Sequence, residues 1–166
     1  LTIMILQYFK KKENEYKNLS DKIYLSLINV SKDLIRNDYF EEKSFDTSFE
    51  ITSIILIFYL KVLKSNNDTK SLSINDLLIK NFINDLDNSL RELGIGDMSI
   101  GKYVKKYVKK LYYRIKIIDP MLDNFNDEDF SNYLKSIKST NHKHILSILD
   151  KFINEYEKIK KKYNKI

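Results

Sequence analysis

NFINDLDNSLRELGIGDMSIGKYVKKYVKK, residues 81–110, contains two helical patterns on either side of a short turn that holds every glycine of the chain. On both sides of the turn, apolar residues recur three or four positions apart, which indicates amphipathic helices. Gly94, Gly96 and Gly101 occupy the turn. Because glycine adopts positive φ angles and lets another surface approach closely, we interpret this glycine turn (residues 94–101) as a corner with a functional purpose.

Helical periodicity also dominates the rest of the 166-residue chain, and no segment alternates as a half-buried strand does. Residues 49–63 are apolar almost all round, which predicts a buried central helix. We therefore predict an all-α fold, a single compact multi-helix domain of about six helices. Residues 1–15 are interpreted as an N-terminal amphipathic and basic segment, and residues 16–166 as one helical domain with a signature hinge at residues 85–106.

Capping residues predict where the helices begin and end. Gly94 is placed to end one helix in a left-handed conformation, and Pro120 predicts that the next helix ends near Ile118. The residues expected to mark helix starts are Ser20 or Asp21, Ser73 with Asp76, Asp97 or Ser99, and Asp127.

Apolar stripes predict the buried face of each helix. The stripe before the glycine turn ends with Leu90 and Leu93, and Tyr107 lies at the edge of the stripe after it. In the last helix, from about His144, a strict heptad seam ends at Tyr163. The stripe after the turn consists of Val104, Val108, Leu111, Ile115 and Ile118.

The composition suits a soluble globular protein and carries a formal net charge of +6. This charge would suit an anionic partner such as RNA or a lipid surface, but the chain is rich in Lys throughout, which reduces the weight of the argument. The absence of Cys excludes disulfides, thiol chemistry and Cys-based zinc or iron–sulfur sites. No uncharged run is long enough to span a bilayer.

The N-terminal segment is the best candidate for contact with an anionic membrane surface. Apolar residues at positions 3–9 precede Lys10, Lys11 and Lys12, a combination that favours weak binding to anionic lipid. The alternative is a short end that frays or packs against the core.

A second basic feature follows the glycine turn, where helical projection places Lys residues opposite the apolar stripe. Its residues are Lys105, Lys106, Lys109, Lys110 and Lys116, with Lys102 at the start. Contact with phosphate or an acidic protein segment is one interpretation, and a solvated face of a Lys-rich protein is the other. Tyr103, Tyr107 and Tyr113 lie nearby, but most of them are expected to serve the core, so the signal for RNA stacking is weak.

The residues beside the glycine turn combine both charge signs with little side-chain bulk. Asp87 and Arg91 stand four apart and are expected to form a surface ion pair worth roughly 0.3 kcal/mol. Such a site suits the binding of another polypeptide. The alternative is a helix corner that glycine keeps tight.

Motifs for catalysis and metal binding are incomplete in this chain. Residues 96–102 match the Gly and Lys spacing of a phosphate-binding loop, but Tyr103 stands where Ser or Thr must bind Mg²⁺, and the preceding segment is helical. His142 and His144 are two apart and could bind a metal only with further ligands from elsewhere. We predict no catalytic residue, no metal site and no cofactor.

The sequence LDNSLRELGIGDMSIGKYVKK, residues 86–106, resembles the signature of the ubiquinol–cytochrome c chaperone family. Weaker similarity includes Tyr24 and residues 48–51, and it ends near Asn124. Two positions depart from the family pattern: Tyr103 stands where a basic residue is usual, and Tyr107 where Met is expected.

The resemblance implies an all-helical assembly factor without catalytic activity, which binds newly made cytochrome b and supports biogenesis of the ubiquinol–cytochrome c reductase (bc) complex. It implies a location in the bacterial cytoplasm, peripheral at the inner membrane, or in the mitochondrial matrix of a eukaryote. In mitochondria the family acts with a small helical partner protein near the ribosomal exit tunnel. Whether a bacterial relative meets a ribosome or has such a partner stays open.

Residues and resemblance together lead to a client-binding hypothesis, in which the glycine turn forms one wall of a groove for a segment of cytochrome b. Its residues are Asp87, Leu90, Arg91, Glu92, Gly94, Gly96, Asp97, Gly101 and Lys102. The alternative function is a ribosome- or RNA-binding helical module that uses the basic face and the tail at residues 158–165.

Overall fold

The computed structural model describes residues 2–125 and 127–166, with the side chains of residues 2–6, 8 and 9 outside the description. Over the described residues the chain forms six α-helices, one 3-10 turn at His142–His144 and no strand. The predicted all-α single domain is therefore confirmed. The helices are α1 (Thr2–Arg36), α2 (Phe45–Asn66), α3 (Thr69–Glu92), α4 (Asp97–Met121), α5 (Asp127–Ser136) and α6 (Ile145–Tyr163).

α2 is the central helix, because its own apolar side chains point in all directions along its middle part and leave no polar face to turn toward water there. Residues 53–59 are buried without interruption, and α1, α3, α4 and α6 pack around them. The Ser44 hydroxyl caps the start of α2 by accepting a hydrogen bond from the Thr47 amide. Asn67 ends the helix in a left-handed conformation (φ 52°). The prediction of a buried central helix is confirmed.

The loop before α2 is tied to the loop between α5 and α6. Phe40 and Thr140 form an isolated antiparallel bridge, and the Glu41 amide donates to the Ser139 carbonyl at 2.7 Å. The buried Thr47 hydroxyl donates to the Ser139 hydroxyl at 2.8 Å. These bonds hold the end of α5 against the first turn of α2.

Two of the predicted helix starts are wrong. α1 runs through Ser20 without a break, and Ser20 is fully buried inside it. α3 begins four residues before Ser73, because Asp68 caps it by accepting from the Ser71 amide at 2.9 Å. The hydrogen bonds from Ser71 lower the pKa of Asp68.

The limits of α4 also differ from the prediction. Gly96 precedes the helix and offers no side-chain cap, so neither Asp97 nor Ser99 caps it. Pro120 lies within the last turn, and the helix continues to Met121. The expected left-handed residue at Gly94 is confirmed by its φ of 92°.

α1 continues as one helix across residues 15 and 16, where the sequence suggested a division. The N-terminal candidate for membrane contact, residues 3–9, lies outside the described side chains except for Gln7, which is exposed. Among the residues described, no helix is both long and apolar enough to cross a membrane.

Candidate functional site

The glycine turn is a corner closed by backbone hydrogen bonds. The Gly94 amide donates to the Arg91 carbonyl at 2.9 Å, and the Ile95 amide donates to the Leu90 carbonyl at 3.2 Å. This pair is a Schellman motif, which requires the positive φ that Gly94 supplies. The amides of Ser99 and Ile100 then bond to the Gly96 carbonyl at 2.9 and 3.0 Å. These bonds fix the path of the chain from α3 into α4.

Gly96 and Gly101 are exposed, and the protein's own packing does not require glycine at either position. A Cβ atom built on each of them meets nothing within 4 Å. Gly96 has a φ of −76°, which any residue adopts, and Gly101 lies inside α4. Both positions therefore present bare backbone to the outside.

Arg91 links the two sides of the corner. Its Nε donates to Asp87 Oδ1 at 2.6 Å within α3, as predicted, and its Nη1 donates to Asp97 at the start of α4. Asp87 and Asp97, in that order, raise the pKa of Arg91. All three side chains are substantially exposed, so solvent screens these pairs and they contribute little to the stability of the fold.

Two apolar side chains project into water at this corner. Leu93 is 60 % exposed and Met98 is fully exposed at 103 %. The prediction that Leu93 lies on the buried stripe is wrong, because it is the residue after the last regular turn of α3. Leu90 is only 1 % exposed, so this predicted client-binding residue supports the corner from below. Met98 was missed by the sequence analysis.

A groove of about 680 Å³ leads from this corner along the surface between α1, α2 and α3. Its floor is apolar and aromatic, and Glu92 and Leu93 stand at the end nearest the glycine turn. On its wall, the Tyr24 hydroxyl donates to Asp85 Oδ2 at 2.9 Å. Burial, followed by the Asp85 charge, raises the pKa of Tyr24. The main apolar residues of this α1–α3 groove are Tyr24, Ile28, Phe45, Phe49, Phe82 and Leu93.

The Lys residues of the predicted basic face lie on the outer side of α4. Five of its Lys side chains border a shallow depression of about 600 Å³, and Lys116 lies beyond it. Lys110 is engaged within the protein, with its Nζ 3.5 Å from Asp46 and 4.6 Å from the centroid of the Tyr107 ring. In the part of the chain that the structure describes, no ion pair forms at the remaining basic residues, which are Lys102, Lys105, Lys106, Lys109 and Lys116.

Most tyrosines of α4 do not pack in the core, so the expectation that most of them would do so is wrong. Tyr103, Tyr112 and Tyr113 are 40 %, 55 % and 61 % exposed. Only Tyr107 is buried, and its hydroxyl donates to Asp46 Oδ1 at 2.9 Å. Burial, followed by Asp46, raises the pKa of Tyr107 to about 12. The basic face therefore has an aromatic component that the sequence analysis underestimated.

The single Arg of α4, Arg114, binds a partner within the protein. Arg114 grips Glu50 of α2 with two donors, and the Nε to Oε2 distance is 2.7 Å. Hydrogen bonding to Glu50 raises the pKa of Arg114 against the opposing effect of desolvation. The Tyr133 hydroxyl of α5 also lies 3.5 Å from Glu50. This cluster joins three helices and is not free to bind a partner.

Within residues 2–125 and 127–166, no group of three or more His, Asp or Glu side chains is placed to hold a metal ion. His142 and His144 lie in the 3-10 turn, where the His144 ring packs edge-on against Tyr39 at 6.4 Å.

The residues around this corner match a known family. The family model described as ubiquinol-cytochrome C chaperone matches residues 40–138, more than half of the chain. The chain belongs to the ubiquinol–cytochrome c chaperone family. The matched range contains the glycine turn, the basic face and the Glu50–Arg114 pair, and the resemblance drawn from the sequence is confirmed.

A solved structure of a similar protein agrees with the fold. The crystal structure of the Cbp3 homolog from Brucella abortus superimposes with a TM-score of 0.79 at 19 % identity, and the match covers 95 % of this chain and 89 % of that one. Among curated proteins, no match is found. Membership in the ubiquinol–cytochrome c chaperone family identifies an assembly chaperone for the bc complex and indicates a non-enzymatic role.

Proposed function

We propose that this chaperone captures newly made cytochrome b and holds it during assembly of the bc complex. A segment of the client lies across the glycine turn and enters the α1–α3 groove. The observation that carries the proposal is the pair of exposed apolar side chains, Leu93 and Met98, at a corner whose Gly96 and Gly101 offer open backbone.

The chemistry of this surface suits a protein segment with one apolar face. Exposed apolar groups bordered by charge are typical of protein interaction sites. Here Arg91 and Asp97 border the corner on one side, Lys102 on another, and Glu92 stands at the mouth of the groove. An amphipathic or transmembrane-flanking segment of cytochrome b would place its apolar side chains on Met98 and in the groove.

The predicted client-binding residues then divide by role. Gly96 and Gly101 admit the client backbone, and Glu92 and Lys102 make polar contacts at the rim. The others maintain the shape of the corner from within or through their mutual ion pairs. These supporting residues are Asp87, Leu90, Arg91, Gly94 and Asp97.

Location and further partners follow from the same proposal. The chaperone works in the bacterial cytoplasm, peripheral at the inner membrane, or in the matrix if the source is eukaryotic. The N-terminal segment, residues 1–15, contributes a contact with the membrane, and residues 16–166 form the chaperone domain. A ribosome near the exit tunnel and a small helical protein are the partners expected by analogy with the mitochondrial members.

The proposal is tested by capture of cytochrome b. We compare the unmodified chain with the double variant Leu93→Asp/Met98→Asp in a co-purification assay from membranes that are producing cytochrome b. Charged groups at both apolar contacts are expected to lower the captured amount by about tenfold or more, the range found for central interface residues. Site-specific photo-crosslinking from position 98 identifies the client directly.

A matched control separates this surface from general loss of exposed apolar groups. Leu72→Asp/Leu146→Asp replaces two exposed leucines elsewhere, which are 46 % and 72 % exposed. The control is expected to retain capture, and circular dichroism should show that both variants are folded. Undiminished capture by the folded Leu93/Met98 variant rejects the site. Crosslinks to another bc subunit with none to cytochrome b reject the client.

A further inference from the structure

The outer surface of α4 forms a continuous Lys–Tyr face, defined as Lys105, Lys106, Lys109, Tyr112, Tyr113 and Lys116. On a helix these residues project within about a third of the circumference, opposite the buried Leu111 and Ile118. The face extends about 17 Å along the helix. All six side chains are exposed.

The positive charge of this face is not neutralised within the protein. Across the described residues, none of its four Lys takes part in an ion pair, although acidic residues elsewhere engage Lys61, Lys110, Lys158 and Lys160. Lys102–Lys106 and Lys105–Lys109 are like-charge pairs four residues apart, and such pairs destabilise a helix. An anionic surface laid against the face would relieve this repulsion.

We propose that the Lys–Tyr face binds the anionic headgroups of a lipid bilayer. Lys side chains reach phosphate groups at the bilayer surface, and Tyr rings favour the boundary between headgroups and acyl chains. Tyr112 and Tyr113 diverge by about 100° around the helix, so one ring lies at the edge of the Lys arc and the other within it. The depression along the face is shallow and open, as contact with a planar surface requires.

The observations favour lipid over RNA as the occupant. RNA recognition commonly uses Arg for bidentate phosphate contacts and base stacking, whereas the one Arg of α4, Arg114, is held by Glu50. The basic tail also lies far from Lys110, in the middle of α4. Asn66, at the end of α2, bonds to the Tyr163 carbonyl, while Asp46, at its start, bonds to Lys110. Twenty residues of helix separate these anchors by about 30 Å, so the tail does not continue the row of Lys residues around Lys110.

This inference goes beyond the proposed function, because it concerns another surface and needs no client. It also differs from the N-terminal contact, which uses residues 1–15. Binding through the Lys–Tyr face would orient the molecule, since Lys102 lies on the same side of α4 and directly follows the glycine turn. The client corner would then lie close to the bilayer surface.

The experiment uses the full-length chain and sedimentation with vesicles made of two parts phosphatidylcholine and one part phosphatidylglycerol. Each Lys contributes about a fivefold factor to partitioning onto an anionic bilayer. Lys105→Gln/Lys106→Gln/Lys109→Gln is therefore expected to bind about 100-fold more weakly. The unmodified chain should bind phosphatidylcholine vesicles only weakly, and salt should reduce its binding to the mixed vesicles.

A charge-matched control removes three exposed Lys from α6. Lys151→Gln/Lys158→Gln/Lys161→Gln changes the net charge by the same amount and is expected to keep vesicle binding within about threefold. Equal losses in both triple variants would show a general charge effect and overturn the assignment. Unchanged binding of the α4 variant would overturn it as well.

A tyrosine variant and a measurement of RNA binding complete the test. Tyr112→Ser/Tyr113→Ser keeps every charge, and we expect its vesicle binding to fall about tenfold as interfacial ring contacts are lost. Binding of polyuridylate is measured for the same variants by fluorescence anisotropy. If the α4 triple variant loses RNA binding but retains vesicle binding, the face serves RNA and the lipid proposal is wrong.

Discussion

Replacing Gly101 with Ala should make the protein more stable, which is unusual for a change at a signature position. Gly101 lies within α4, is exposed, and a Cβ atom there meets nothing within 4 Å. Glycine inside a helix is less favourable than Ala by about 0.8–1.0 kcal/mol. We therefore expect Gly101→Ala to raise the free energy of unfolding by about 0.5–1 kcal/mol.

Gly94→Ala is the matched contrast within the same turn. Gly94 also has open space around it, but its φ of 92° is strained for any residue with a side chain. The expected result is a loss of about 1–2 kcal/mol, the cost of a left-handed backbone for an L-residue. Both substitutions add the same methyl group. Opposite changes in the free energy of unfolding would therefore come from the backbone conformation at each position.

The measurement is urea and thermal unfolding followed by circular dichroism. A change of 1 kcal/mol corresponds to about 2–4 °C in Tm for a domain of this size. Destabilisation by Gly101→Ala would refute the reasoning, since it would mean that the position is constrained by the fold. Capture of cytochrome b provides a second readout: a more stable variant with weaker capture would show that glycine serves the client at this position.

Two further predictions concern the packing of α4 on α2. Arg114→Leu leaves the nearly buried Glu50 carboxylate unpaired and is expected to lower the free energy of unfolding, measured with urea, by about 3 kcal/mol. The double variant Glu50→Leu/Arg114→Leu should recover part of this loss. Equal stability of the two variants would contradict an ion-pair role. Tyr107 has its pKa raised to about 12, so the folded state holds the phenolic proton more tightly than the unfolded chain. Its contribution is complete below about pH 10 and is lost as the pH rises toward 12. Tyr107→Phe should lower the free energy of unfolding by about 1 kcal/mol near neutral pH, because the bond to Asp46 is lost. The free energy of unfolding of this variant should also fall less steeply between about pH 10 and 12. An unchanged fall would assign the effect to other buried tyrosines.

The fold class could be predicted from the sequence because apolar periodicity is a property of each helix by itself. Helix starts were harder, since a capping residue marks a start only where the surrounding amides are free. Ser20 is buried within α1 and accepts a long hydrogen bond from the Asn81 side chain at 3.4 Å. Ser73 lies inside α3 and donates to the Thr69 carbonyl at 2.8 Å. Tertiary packing overrides the local signal at Ser20, whereas at Ser73 the earlier Asp68 cap starts the helix first.

The site divides in the same way between local and long-range information. The left-handed Gly94 and the Asp87–Arg91 pair depend on neighbours within a few residues, and both were predictable. The α1–α3 groove joins three helices, and no local pattern indicates it. Exposure of Tyr112 could have been read from helical projection, whereas burial of Tyr107 depends on rings from α2 that lie 4.9–5.2 Å away.

The hydrogen-bonded closure of the glycine turn has a consequence for how a client is chosen. A receptor surface that is already rigid gives up little conformational entropy on association, so the ordering penalty falls on the incoming segment. A stretch that is still unstructured pays the full penalty, and one that has already become helical pays little. If the corner binds a client as proposed, a segment that is already helical would therefore bind more tightly than the same segment in an unstructured state.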